Sequence, residues 1–211
     1  MKKIKNILLI ITGGIAAYKS LELIRRLKDQ NINVTCILTK SGSEFVTPLS
    51  VASLSGNHVY SDLFNLTDES KMGHIQLSRE TDLILVAPAT TNIISKMAYG
   101  SCDDLASTVL MATDKQVIVV PAMNVRMWHN PATQRNIQML IKDGVSFIGP
   151  DKGDMACGEY GLGRMSETQE IVESILELNL SLLDQPLKNL SALVTAGPTK
   201  EQIDPVRFIS N

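Results

Sequence analysis

Asn124, His74 and Cys157 bring an amide, an imidazole and a thiol to places where the chain turns between apolar runs. Asn124 lies in Pro121-Ala-Met-Asn-Val-Arg-Met-Trp128, directly after the apolar run Gln116–Val120. An amide donates two hydrogen bonds and accepts others without carrying charge, which suits holding a carboxylate. The competing reading is a loop whose Asn bonds to its own backbone. His74, in Gly73-His-Ile-Gln-Leu-Ser-Arg79, is a lone histidine, a type more often structural than catalytic. Cys157 stands in the middle of residues 149–165, a stretch with five glycines. A loop of that length and composition reads as a mobile functional lid, from which a thiol can reach a ligand.

Three further segments have the chemistry of phosphate binding. Thr12-Gly13-Gly14 turns a strand into a helix and leaves backbone N–H groups at the helix start. Thr39-Lys40-Ser41 offers hydroxyls and a lysine after the second strand. Pro88-Ala-Thr-Thr-Asn92 repeats the pattern, with helix capping by Thr91 or Asn92 as the alternative. A nicotinamide dinucleotide is disfavoured. Gly13-Gly-Ile-Ala-Ala17 is not G-x-G-x-x-G, and no ribose-binding acid ends the second strand. The pair Asp103-Asp104 reads as the acidic first turn of a helix rather than a metal site.

The elements that must position these residues alternate strand and helix. Strands are expected at Ile7–Ile11, Asn33–Leu38, Leu83–Ala87, Gln116–Val120 and Val145–Ile148, with a short one within Gly56–Asp62. Helices are expected at Ile15–Lys28, within Ser43–Ser55 after Pro48, and at Ile93–Ala98, Leu105–Ala112, Pro131–Lys142 and Ile171–Leu183. Leu21, Ile24 and Leu27 form the apolar face of the first helix. Ile171, Ile175, Leu178 and Leu182 form that of the last, behind a capping box Ser166-Glu-Thr-Gln169. His74 precedes a short helix with Ile75 inward, and His129 is a turn residue. The alternation predicts an α/β fold with a parallel sheet, whose ligands bind beyond the carboxyl ends of the strands. Asp184–Asn189 reads as a linker, and Leu190–Thr195 as the first strand of a second domain.

Composition narrows the class. A net charge of -2 and the lack of a Lys/Arg run argue against a nucleic-acid partner. Five apolar residues, Ile7–Ile11, are too few for a signal-peptide core or a membrane span, so a cytoplasmic protein is expected. Cys36, Cys102 and Cys157 make no disulfide framework and no metal-type spacing; Cys36 and Cys102 read as small buried hydrophobes.

Four segments in order, Gly13-Gly-Ile-Ala-Ala-Tyr-Lys-Ser20, Gly73-His74-Ile, Pro121-Ala-Met-Asn124 and Ala156-Cys157-Gly, resemble the homo-oligomeric flavin-containing Cys decarboxylases. Within that family the chain looks most like the branch acting on phosphopantothenoylcysteine, over roughly residues 5–180. The resemblance implies a Rossmann-like or flavodoxin-like three-layer sandwich binding FMN. Gly13, Gly14, Ile15, Thr39, Ser41, Thr90, Thr91, Asn92 and Ala122 would line the flavin. His74 would be the base or electrostatic partner, Asn124 the carboxylate grip and Cys157 the proton donor. Met123, Asp154, Ala156 and Arg79 would contact substrate, and no metal is implied.

The implied reaction oxidises the substrate to a thioaldehyde, releases CO2 and reduces the enethiol to phosphopantetheine, a step of coenzyme A biosynthesis. The family's assembly is a homotrimer, with dodecamers in some members. Residues 1–184 would form the decarboxylase domain. Residues 185–211 are similar to the start of a phosphopantothenate–cysteine ligase domain, too short for ligase activity. A peptide cysteine decarboxylase, a flavin prenyltransferase and a non-enzymatic regulatory flavoprotein are the alternatives. Cys157 argues against the first, the set His74, Asn124 and Cys157 disfavours the second, and the presence of all three argues against the third.

Overall fold

The β-branched apolar runs become the interior strands of one parallel sheet. The computed structural model describes residues 3–62, 73–156, 158–182 and 200–210. Strands β1 (Asn6–Ile11), β2 (Asn33–Leu38), β3 (Val59–Tyr60), β4 (Leu83–Ala89), β5 (Gln116–Pro121) and β6 (Ser146–Phe147) lie in the order β3-β2-β1-β4-β5-β6. Every neighbouring pair is parallel. The chain winds outward from β1 to β3 and then returns to place β4 on the other side of β1. The order therefore reverses between β1 and β4, and a crevice must open beyond their carboxyl ends.

Helices α1 (Ala17–Asp29), α2 (Pro48–Ser55), α3 (Gly73–Arg79), α4 (Thr91–Tyr99), α5 (Leu105–Ala112), α6 (Val125–Trp128), α7 (Pro131–Lys142) and α8 (Thr168–Leu182) follow the strands. Successive side chains of a strand point to opposite faces, so β1 feeds two cores. Ile7, Leu9 and Ile11 pack with Leu23, Ile24 and Leu27 of α1 and with Ile171 and Ile175 of α8. Leu8 and Ile10 pack with Ile93 and Ile94 of α4, Val109 of α5, and Ile137 and Leu140 of α7. The result is a flavodoxin-like three-layer sandwich.

Several local expectations are revised by tertiary contacts. His74 lies inside α3 rather than before it, and Leu77 and Ser78, not Ile75, are that helix's buried residues. Leu21 is only partly buried, and Leu23 takes the inward place. The glycine-rich stretch is not an irregular lid but an antiparallel hairpin, β7 (Asp151–Asp154) with β8 (Tyr160–Arg164). The capping box at Ser166 does not form. Its hydroxyl donates to Asp151 Oδ1 at 2.8 Å, and the Gln169 amide donates to Glu173 at 2.7 Å. Cys102 is exposed, whereas Cys36 is fully buried.

Other expectations hold. Asp104 caps α5 reciprocally with Ser107, and Lys96 bonds to both Asp103 and Asp104. His129 ends α6 at its C-cap. A second hairpin, β9 (Lys200–Gln202) with β10 (Phe208–Ser210), lies in the tail. The expected strand Leu190–Thr195 falls outside the described residues. Among the described residues, no helix is long and apolar enough to cross a membrane.

Candidate active site

The strand ends are fastened to one another before any ligand enters. The Thr12 hydroxyl, at the end of β1, donates to the Pro88 carbonyl in β4 at 2.7 Å and lies 3.5 Å from the Thr90 hydroxyl. Thr39 N–H and its hydroxyl both donate to the Ile11 carbonyl, at 3.1 and 3.2 Å, tying the β2 turn to β1. A side chain at Gly13 would put its Cβ 2.7 Å from Ser41 Cβ, so these two turns meet because position 13 has none. Gly14 has φ +113, in the region that favours glycine, and its α-carbon faces Thr90. Gly13, Gly14, Thr39, Ser41 and Thr90 thus form one contiguous floor. Helix α4 starts at this floor with no side-chain cap, which leaves N-terminal N–H groups for an anion, whereas the Ala17, Tyr18 and Lys19 N–H groups of α1 already donate to the carbonyls of Gly14, Ile15 and Ala16. Thr90, rather than Thr91 or Asn92, holds the N-cap position of α4.

Beside the floor is a cleft of about 380 Å³. Gly14, Ile15, Tyr18 and Lys19 line one side; Ala122, Met123 and Asn124 the second; Asp154, Met155, Ala156 and Arg164 of the hairpin the third. The hairpin is seated on the segment after β5 by the Met123 N–H, which donates to the Gly163 carbonyl at 2.9 Å. Gly163 has φ +137, and a Cβ there would lie 2.3 Å from the Met123 carbonyl oxygen. Only glycine permits this approach. The Thr91 hydroxyl donates to Met123 Sδ at 3.3 Å, linking the floor to the cleft.

The backbone-bonding reading of Asn124 holds. Its side-chain oxygen accepts from the Met127 N–H at 3.0 Å and so caps α6. Because the oxygen is committed, the amide nitrogen is presented outward, where it donates to Glu159 Oε2 at 2.9 Å. Arg126 Nε lies 3.4 Å from Glu159 Oε1. An amide held this way is a fixed donor aimed at a carboxylate.

Lys19 was missed in the sequence reading although it stands within Gly13–Ser20. It is buried, and its ammonium donates to the Met165 carbonyl at 3.2 Å and to Glu167 Oε1 at 3.0 Å. Its signal was available, since a lysine on the apolar side of an N-terminal helical turn needs a partner. The Lys19 ammonium, opposed by slight burial, holds the Glu167 carboxyl below the usual carboxylate range. Arg79 ends α3 in an exposed position and is not among the cleft's lining residues; its charge acts on Asp114, just before β5. Asn92 is exposed on α4. The side chain of His74 and all of Cys157 lie outside the described residues. Burial pushes the Cys36 thiol up to about 12 against a bond with Ser55, so that thiol is inert. Among the described residues no cluster of metal-ligating side chains occurs.

A flavin phosphate fits the floor by its chemistry: the uncapped start of α4, hydroxyls at three strand ends and glycines where the turns crowd. Comparison with known proteins agrees. The family model "Flavoprotein" matches residues 1–180, and "DNA/pantothenate metabolism flavoprotein C-terminal domain" matches residues 187–211. The chain is 47% identical over 207 residues to the coenzyme A biosynthesis bifunctional protein CoaBC of Vibrio vulnificus, covering 98% of this chain and 51% of the relative. It thus spans about half the length of the curated relatives it matches. A cysteine-to-serine mutant of PPC decarboxylase complexed with pantothenoylaminoethenethiol superposes with TM-score 0.75 at 33% identity, covering 85% of this chain and 100% of that one. The FMN-binding protein AtHal3 gives TM-score 0.74 at 33% identity, covering 85% and 98%. On its sheet, its glycine-built floor and the family model over residues 1–180, this chain belongs to the flavoprotein family.

Proposed function

We propose that this chain is an FMN-dependent decarboxylase converting phosphopantothenoylcysteine to phosphopantetheine and CO2. One observation carries the reading: the Asn124 amide, its oxygen spent on the α6 cap, presents a donor to a carboxylate beside a cleft roofed by the hairpin that bears position 157. The likeness to a PPC decarboxylase and to CoaBC proteins supports it. FMN, when bound, would supply a reversible two-electron acceptor for oxidation of the thiol-bearing carbon. Gly13, Gly14, Ile15, Thr39, Ser41, Thr90, Thr91, Asn92 and Ala122 are its proposed holders.

The protein's part is binding, orientation and proton handling. Asn124 grips the substrate carboxylate without adding charge. Met123, Asp154 and Ala156 wall the substrate, and Arg79 is a further proposed substrate contact. His74 serves as base or electrostatic partner while CO2 departs, and Cys157 returns the proton that saturates the remaining carbon. The net change replaces a carboxylate by hydrogen, with no net oxidation. The domain boundary near residue 184, a homotrimeric or dodecameric assembly and a cytoplasmic location belong to the same proposal, as does a ligase activity carried by a longer chain.

The test is a reaction of the flavin-loaded protein with phosphopantothenoylcysteine, followed anaerobically by absorbance and mass spectrometry. Phosphopantetheine should form. Cys157→Ser should instead accumulate the enethiol, two hydrogens lighter, because a serine hydroxyl is a far weaker acid than a thiol of pKa about 8.5. Absence of CO2 release by the flavin-loaded protein would remove the proposed activity. Full conversion by the variant would remove Cys157 as donor and leave Tyr160 as the next candidate.

A further inference from the structure

Glu159 has no part in the scheme above, yet it is the residue that meets the Asn124 amide. It opens β8's side of the hairpin tip, where its carbonyl accepts from the Met155 N–H at 2.9 Å. Its carboxylate takes a 2.9 Å hydrogen bond from Asn124 and lies 3.4 Å from Arg126 Nε. The Glu159 side chain is 34% exposed and that of Arg126 is 88% exposed. The ion pair is therefore a weak tether in water, and the Asn124 bond is the directed contact.

We propose that the Glu159 carboxylate is a built-in surrogate for the substrate carboxylate. It holds the Asn124 amide and latches the hairpin tip until substrate displaces it. The inference rests on the reading of Asn124 as the substrate's carboxylate grip. The physical reason is exclusion by charge. Two carboxylates sharing one amide would stand within a few ångströms of each other in a partly desolvated cleft, and like charges repel strongly there. When the substrate's carboxylate arrives, Glu159 swings to the exposed Arg126, which keeps it paired. Glu159 is then a positioning and selectivity residue. It taxes every ligand that brings a carboxylate to Asn124, and it leaves the product, which has lost that group, without a competitor's advantage. The latch also sets where the tip rests, two residues along the chain from position 157.

The test compares two ligands that differ by that carboxylate, in the flavin-loaded enzyme. In Glu159→Gln a neutral acceptor replaces a charged one, and the surrogate weakens. KM for phosphopantothenoylcysteine should fall roughly fivefold, with the change in KM rather than kcat, as charge-assisted bonds are about twice as strong as neutral ones. The dissociation constant of phosphopantetheine, measured by calorimetry, should not change. Equal shifts for both ligands, an unchanged KM, or a loss confined to kcat would overturn the proposal.

A second readout needs no turnover. Amide hydrogen exchange across residues 151–164 should accelerate in Glu159→Gln and in Asn124→Asp. It should recover in the double variant, where amide and carboxylate have traded places. Failure of the double variant to recover protection overturns the latch, even if the wild type decarboxylates. Recovery in the double variant, together with a wild type that releases no CO2, supports the latch and rejects the proposed reaction instead.

Discussion

Asn124 caps α6, and on the proposed function the same side chain also grips the substrate. An N-cap needs an acceptor and a carboxylate grip needs a donor, and an amide has one of each. Aspartate would cap α6 equally well but would aim a carboxylate where the donor stood, 2.9 Å from Glu159 in the present geometry. Asn124→Asp should therefore fold and keep its flavin absorbance. Its kcat/KM should drop by about a hundredfold or more, the cost of one charge-assisted bond plus repulsion. Steady-state assays of CO2 release check this, and a near wild-type rate would take the carboxylate away from Asn124. The Cys36 thiol, driven up to about 12 by burial, is packing material.

At the scale of elements, the hairpin is the part that turns a flavodoxin-like sheet into an enclosed site. It docks through the Met123–Gly163 backbone bond and through Gly161, whose α-carbon abuts Val125 of α6. Gly163→Ala would force a Cβ into the Met123 carbonyl at a φ of +137. The expected cost is about 2 kcal/mol or more, from strain and the broken dock. Urea denaturation should show that loss, and limited proteolysis should cut first within residues 151–164. A variant as stable as wild type, with an uncut hairpin, would mean the dock is not what seats it. Lys19 works on the same joint from the other side, since its bonds to Met165 and Glu167 tie the end of β8 to α1.

At the scale of the whole molecule, Asp104 and Glu167, two of the depressed carboxyl groups among the described residues, predict the response to acid. Burial works against the ionised form of Asp104, but hydrogen bonds from Lys96 and Ser107 outweigh it and hold its carboxyl below the usual range. Glu167 is lowered chiefly by Lys19. For such groups the unfolded chain binds more protons than the folded one between the two pKa values, so stability rises with pH there. Their contribution is complete above the ordinary carboxylate range of about 4 and is lost as pH falls through the lower folded value. Asp104→Asn keeps a good N-cap while deleting the charge. Denaturation midpoints of this variant should lie below wild type at about pH 6 and converge with it only in acid strong enough to protonate the folded Asp104 carboxyl. Parallel curves would show that the Lys96 pair contributes nothing to the slope.

The sequence alone determined the order of strands and helices, because hydrophobic period and turn chemistry are local and the β-branched runs Ile7–Ile11, Asn33–Leu38 and Gln116–Val120 admit few other states. The residue types of the floor, at Thr12-Gly13-Gly14, Thr39-Lys40-Ser41 and Thr90-Thr91-Asn92, were legible for the same reason. The spacing of glycines and hydroxyls marks these turns locally, although what Gly13 makes room for, Ser41, comes from the turn after the next strand. Which residues actually meet was decided by tertiary structure. Residues 149–165 look like irregular loop in sequence because glycines carry no strand propensity, yet they pair as β7 and β8 once Gly161 and Gly163 can press against Val125 and Met123. Ser166 lies outside the last helix, which begins at Thr168, and its hydroxyl donates instead to Asp151, brought near by the same hairpin. Lys19 and Glu167 are 148 residues apart in sequence and Asn124 and Glu159 are 35 apart. No local pattern encodes such separations, and the chain must close its sheet before either pair exists.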